Sequence, residues 1–277
     1  MRALRLTLPT AEFSISAPAE ILNLLRIFYP HSLSPQPIDG TLPHFSLLPD
    51  ADVWHLEYNG SSLGAFARPS AALLALEYRI ETDVAGVDDG RIAIHAGAVA
   101  TTNGAWLLAG DPDSGKTSST FQLLELGQSF LCEEIAIYDP VRREVHPYLQ
   151  TLSLNRRYVD LYRSSRSVEA GSVHELDENL SRYLPHRVET SPQRLSALLL
   201  PRYRPHAIAG IEELPAAEAL TEVLGYCFQP SAGEERLFDA LIDLLDTVTV
   251  LRVTYRDMAE ARDLYSGLLT APLAAGT

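Results

Sequence analysis

The stretch Trp106-Leu107-Leu108-Ala109-Gly110-Asp111-Pro112-Asp113-Ser114-Gly115-Lys116-Thr117 decides how the rest of the chain is read. Its first four residues are continuously apolar, as in a strand buried on both faces. The next eight match G-x-x-x-x-G-K-[ST], and a helical pattern closed by Gly127 runs from Thr117 to Leu126. Strand, glycine loop and helix in that order are the context a phosphate loop requires. Gly110 and Gly115 let the backbone wrap an anion with N–H groups turned inward, and the helix start adds its positive end. Lys116 supplies a compact charge to the outer phosphates, and the Thr117 hydroxyl suits Mg²⁺. Nucleotide contacts are therefore expected from Gly110, Asp113, Ser114, Gly115, Lys116, Thr117 and Ser118. Asp111 and Asp113 are unfavourable beside polyphosphate unless they point to solvent or meet Mg²⁺, and Pro112 has no N–H to donate.

Composition sharpens that reading. The 277 residues hold 22 Lys+Arg, of which 21 are Arg and one, Lys116, is Lys. Arginine is bulkier, planar and forked, and is no equivalent occupant of the tight position where the lone lysine stands. With 36 Asp+Glu the formal charge is −14, a field that repels nucleic acid and anionic lipid, so neither is expected as a partner. A hydrophobic share of 46% excludes a disordered chain. Cys132 and Cys227 lie far apart in apolar surroundings, as buried thiols of a reducing compartment do. Pro9 and Glu12 interrupt the N-terminus too early for a signal peptide, and no run of about 18 apolar residues occurs. A soluble cytoplasmic protein is expected.

Outward from the loop, residues 2–8 and 12–16 alternate like strands, and a helix is expected from Ala17 to about Phe28. After a loop at Pro30 to Pro43, Val53–Tyr58, Asn59-Gly60 and Ser61–Phe66 predict a hairpin. Pro69 opens a helix whose Leu73, Leu74, Leu76, Ile80 and Val84 mark a buried face. Short strands are expected at Arg91–Ile94, Ala98–Thr101 and Ala105–Ala109, and a strand pair within Phe130–Tyr138. Residues 141–190 are polar, Arg-rich and weakly patterned. A strand at Leu195–Leu200, helices near Ala216–Phe228 and Glu234–Leu245, a strand at Thr249–Tyr255 and a helix from Met258 complete the chain. This divides it into a small α+β subdomain over 1–90, an α/β domain over 91–271 and a frayed tail over 272–277.

Beyond the loop's helix, Phe130-Leu131-Cys132 ends in Glu133-Glu134. A carboxylate at the end of a strand adjoining the loop can hold Mg²⁺ or accept a proton from an attacking hydroxyl. Neighbouring strand residues face opposite ways, so both serve one site only where a bulge re-aims one. His95 lies one strand upstream of the loop, in Ile94-His95-Ala96-Gly97, where a structural role is the simpler alternative. Arg156, Arg157, Arg163 and Arg166 could form a basic rim for an anionic partner.

Together, Ile94-His95-Ala96-Gly97-Ala98-Val99, the phosphate loop, Leu126-Gly127 and Cys132-Glu133-Glu134-Ile135 resemble the core of the HPr kinase/phosphorylase-like family. The stretch Leu199-Leu200-Pro201-Arg202-Tyr203-Arg204-Pro205 is similar to HPr-kinase-related proteins. The resemblance implies an α/β P-loop kinase core of the HPr kinase or phosphoenolpyruvate-carboxykinase type with a small β-rich N-terminal subdomain. It implies ATP with Mg²⁺ and phosphoryl transfer to a hydroxyl. By position, Lys116 and Thr117 carry over as phosphate and Mg²⁺ contacts, Glu133 as the base, Glu134 as a metal ligand, and His95 as a group near the phosphates. Three departures stand out. The acidic pair is Glu-Glu rather than Asp-Asp, and the family's second glycine- and arginine-rich signature has no counterpart. Ser118 stands where the bifunctional enzymes carry an acid, so phosphorolysis is not expected. The expected acceptor is a serine of a small carrier protein or precursor peptide, or a small-molecule hydroxyl, and a homo-oligomer is compatible with the sequence. The alternatives are a nucleotide-binding regulatory module without chemistry and a structural protein with a decayed loop.

Overall fold

The structure, a computed structural model, describes residues 2–35, 40–86, 89–154, 159–165, 170–178, 180–228 and 233–271. It is a mixed α/β protein whose described residues form three sheets. The chain divides into two compact units. The first joins Met1–Val87 to Leu149–Ser164 and Val173–Leu184; the second joins Asp88–Tyr148 to Ser165–Ser172 and Pro185–Thr277. The linear division at residue 90 does not contain this return, because the polar segment after Tyr148 carries no period that marks which core it joins.

The first unit begins with β1 (Arg2–Thr7), β2 (Glu12–Ala17), α1 (Ala19–Phe28), β3 (Leu33–Pro35), β4 (His44–Asp50), β5 (Val53–Tyr58), β6 (Ser61–Phe66) and α2 (Pro69–Ala85). Its sheet runs β3-β1-β2-β4-β5-β6, antiparallel throughout except between β2 and β4. Pro18 and Pro69 sit at the two helix starts, where a missing N–H costs nothing. Along α1, Ile21, Leu22, Leu25 and Phe28 are buried at helical spacing. On α2, Leu73, Leu76, Ile80 and Val84 are buried as read, but Leu74 is 41% exposed, corrected by its position about 100° round the helix from Leu73. The Asn59-Gly60 hairpin has the expected span.

The second unit opens with β7 (Ile92–Thr101), β8 (Gly104–Ala109), α3 (Lys116–Glu125), β9 (Ser129–Cys132), β10 (Ile135–Asp139) and β11 (Glu144–His146). Where two short strands were expected on either side of His95-Ala96-Gly97, β7 is continuous. His95 pairs with Ile135, Ala96 with Ala109 and Gly97 with Leu108. Gly97 marks a close approach rather than a break, since a Cβ there would stand 2.6 Å from Thr120 Oγ1 on α3.

The chain then returns to the first unit through β12 (Leu152–Leu154), α4 (Val159–Ser165), β13 (Gly171–Glu175) and β14 (Ser181–Pro185), whose strands form a sheet of order β12-β14-β13. Finally β15 (Gln193–Tyr203), β16 (Gly210–Glu213), α5 (Ala216–Leu224), α6 (Glu234–Leu245), β17 (Thr249–Tyr255) and α7 (Met258–Thr270) complete the second unit. α5 stops four residues short of the expected Phe228. Gly225 follows it, and Phe228 N–H donates to Ala93 O at 3.0 Å, tying this stretch to β7. The tail 272–277 lies outside the described residues.

The second unit's sheet has the order β11-β10-β7-β8-β15-β17-β16, with β9 also on β7. β8, β15 and β17 are mutually parallel, so their carboxyl ends come to one edge. In open α/β sheets that edge is where ligands bind. Trp106, Leu107, Leu108, Ala197, Leu198, Leu199 and Leu200 are all at or below 1% exposure, as strands covered on both faces demand. Among the described residues no helix is long and apolar enough to cross a membrane.

Candidate functional site

β8 ends at Ala109 and α3 starts at Lys116, so the glycine-rich loop occupies the carboxyl edge of the parallel strands. Gly115 precedes the helix at φ 101°, a left-handed conformation that non-glycine side chains rarely adopt. A Cβ at Gly115 would also stand 2.0 Å from Tyr255 Oη. Asp113, at φ 60°, holds the other left-handed position of the loop. Asp111, Pro112 and Asp113 are exposed, and Ser114 is buried. Ser114 Oγ finds no hydrogen-bond partner among the described residues, a donor aimed into the fold of the loop.

Lys116 is buried, and its Nζ donates to Gly110 O at 2.6 Å and to Asp111 O at 3.0 Å. Burial pushes its ammonium below the ordinary lysine value, opposed by Glu134, Glu133, Asp111 and Asp113. The Thr117 hydroxyl donates to Glu133 Oε1. Glu133 is 3% exposed, whereas the Glu134 side chain is 34% exposed. Glu133 and Glu134 lie between β9 and β10 rather than within one strand, so strand alternation does not separate them. One carboxylate meets the start of α3, and the other meets β7.

His95 Nδ1 lies 3.2 Å from Glu134 O and 3.6 Å from Glu134 Oε2. Its ring stands edge-on to Phe228 at 6.4 Å between centroids. Burial and the nearby Lys116 hold the imidazole below its ordinary value, against the pull of Glu134. A neutral ring that bonds a carbonyl through Nδ1 carries its proton there and leaves Nε2 as an acceptor. The structure thus brings together Gly110, Ser114, Gly115, Lys116, Thr117, Glu133, Glu134 and His95, with Ser118 one residue further along α3.

Arg163 is engaged by Glu175 and, at 3.3 Å, by Asp160, within the first unit. Arg156, Arg157 and Arg166 lie outside the described residues. Among the described residues no group of three His, Cys, Asp or Glu side chains forms a metal cage. Mg²⁺ characteristically takes one or two carboxylates and fills its shell with water and substrate phosphates, so the Thr117 and Glu133 oxygens fit it without such a cage.

No protein-family model matches the chain, and no curated protein matches it. Among solved structures it is similar to the HPr(Ser) kinase/phosphatase from Coxiella burnetii, at 10% identity, covering 64% of this chain and 96% of that one. The TM-score is 0.28, too low to carry any argument about fold or activity. The site therefore rests on its own geometry.

Sequence reading missed the groups that brace the loop from behind. Tyr265 Oη donates to Ser119 Oγ at 2.7 Å, Ser119 Oγ lies 3.0 Å from Tyr255 Oη, and Tyr255 Oη donates to Gly115 O at 2.9 Å. The order that satisfies every hydroxyl runs Tyr265 to Ser119 to Tyr255 to Gly115, each proton pointing toward the loop. All three side chains are buried, so removing one hydroxyl strands its neighbour. Tyr255→Phe is expected to lower unfolding stability by about 1–3 kcal/mol in urea titration, the cost of one unsatisfied buried donor. An unchanged urea midpoint would remove this chain as a brace. The sequence carries no local signal for it: Tyr255 ends β17, two places across the sheet from the loop's strand β8.

Proposed function

We propose that the chain is an ATP-dependent phosphotransferase that moves the terminal phosphoryl group to a hydroxyl. The observation that carries this is Lys116: the one lysine, buried at the mouth of a glycine loop, with its ammonium held on the carbonyls of Gly110 and Asp111. That ammonium and the first N–H groups of α3 would bind the outer phosphates. Thr117 and Glu133 would hold Mg²⁺, which supplies neutralisation of the charge developing on the transferred group. Phosphoryl transfer asks mainly for positioning and electrostatics, and this constellation is built for both.

The contacts favour a division of labour between the acids that differs from the one the resemblance implies. Glu133 is buried and takes the Thr117 hydroxyl, which suits the metal side. Glu134 is the more exposed of the two and has His95 at its carboxylate, which suits the acceptor of a substrate proton. In this reading His95 stays neutral and orients Glu134. The acceptor belongs to the class of alcohols: a serine of a peptide or small protein, or a small-molecule hydroxyl.

Transfer from labelled ATP to co-encoded peptides or metabolites tests the proposal. Glu134→Gln should lower transfer by about 10²–10⁴-fold, the usual contribution of a general base, with ATP affinity nearly unchanged. Glu133→Gln should act on the Mg²⁺ dependence of ATP binding. If Glu133→Gln alone stops transfer while leaving Mg²⁺-dependent affinity intact, the two roles are reversed. Tight ATP binding with no transfer to any pool would favour a regulatory module.

A further inference from the structure

We propose that Arg202 is a second cation for the terminal phosphates of the nucleotide, an inference that rests on the phosphate-binding reading of the loop. β15 runs parallel to β8, and its end lies against the loop. Tyr203 N–H donates to Ser114 O at 2.8 Å, and a Cβ on Gly110 would stand 3.7 Å from Pro201 O. Arg202, paired with Thr254 of β17, therefore stands at the carboxyl edge of the sheet, beside the loop's first turn.

The two arms of its guanidinium are unequally engaged. Nη2 donates to Glu222 Oε2 on α5 at 2.6 Å, between side chains that are 17% and 19% exposed. Nη1 reaches Asp111 Oδ2 at 3.4 Å, where the Asp111 side chain is 66% exposed, and the Tyr226 hydroxyl is a further side-chain partner of the guanidinium. The first bond anchors the planar group; the second is long and weak by hydrogen-bond standards. Asp111 is also the residue whose carbonyl takes Lys116 Nζ, so ammonium and guanidinium bracket one loop position.

Of the other arginines at this end of the sheet, Arg204 donates to the neighbouring Tyr203 carbonyl at 3.1 Å, and two are held by acids. Arg252 is held by Glu212, Glu218 and Glu222, and Arg256 by Glu260. A polyphosphate entering a chain of charge −14, past Asp111 and Asp113, meets an opposing field that one lysine offsets only in part. Arg202 offers a fixed fork whose outer arm exchanges a weak carboxylate partner for a phosphate oxygen. Asp111 competes with the nucleotide for that arm.

Calorimetric titration of the full chain with Mg·ATP and Mg·ADP tests this. Arg202→Ala should weaken ATP binding about tenfold or more, the loss of one charge-assisted hydrogen bond, with a melting temperature close to wild type because Arg252 still holds Glu222. Asp111→Asn, an exposed change, should tighten ATP binding about threefold, the scale of one surface ion pair. That gain should shrink in the Arg202→Ala background. Wild-type affinity in Arg202→Ala overturns the inference, as does an Asp111→Asn gain that is absent or equal in both backgrounds. The nucleotide reading fails separately, by absence of ATP binding in the wild-type chain or by indifference to Lys116→Ala.

Discussion

Lys116→Ala is expected to weaken Mg·ATP binding by about a hundredfold or more while the chain stays folded. The ammonium makes two short bonds to loop carbonyls and would add charge-assisted bonds to phosphate, and losing two such bonds is worth roughly that factor. The residue is 8% exposed, yet its truncation leaves Gly110 and Asp111 carbonyls at a loop whose crest is open, where water replaces the ammonium. Stability should therefore change less than affinity. Composition provides an independent check, because Lys116 is the only lysine. An amine-directed acylating reagent has two targets, Lys116 and the α-amine, and ATP should protect the first alone. Peptide mapping of modified protein with and without ATP reads this directly. Equal modification in both, or unchanged ATP affinity in Lys116→Ala, would refute the phosphate loop.

The loop was legible because its information is local. Apolar strand, two glycines, Lys and Thr are set by spacing along the chain, and β8 and α3 formed where the pattern placed them. The hairpin at Asn59-Gly60 and the helix from Pro69 were readable for the same reason. What escaped was information carried between strands. Whether Glu133 and Glu134 could share a site depended on both lying in the gap between the end of β9 at Cys132 and the start of β10 at Ile135, where strand alternation does not separate them. Arg202 and Tyr255 reach the loop through the parallel register of β8, β15 and β17, which fixes neighbours some 90 to 140 positions apart in sequence. His95-Ala96-Gly97 suggested a break because glycine is a poor strand former, and the reason for Gly97 lies in Thr120 of α3.

The largest effect on folding is expected at Arg182, inside the segment whose sequence is least patterned. Arginine reads as surface, and here it is 1% exposed. Its Nη2 donates to both oxygens of Glu77, which is 6% exposed, and its Nη1 donates to Thr151 O at 3.2 Å. Its guanidinium carbon lies 4.1 Å from the centre of the Phe28 ring. Gln150 adds bonds to Glu77 and, at 3.0 Å, to Glu81. Four stretches of the first unit, α1, α2, residues 150–151 and β14, thus meet on one buried ion pair, which registers the returning segment against the core. Arg182→Ala would leave the Glu77 carboxylate buried without its cation, and such a loss costs about 3–5 kcal/mol, a large share of the roughly 5–15 kcal/mol by which a protein is stable. Urea unfolding followed by circular dichroism should show a correspondingly lowered midpoint. Replacing both partners separates charge from shape: Glu77→Leu with Arg182→Met should recover most of the loss, because the attraction within a buried pair scarcely exceeds its desolvation cost. A double variant as unstable as Arg182→Ala alone would mean that the contacts to Thr151 and Phe28, rather than the charge on Glu77, hold β14 in place.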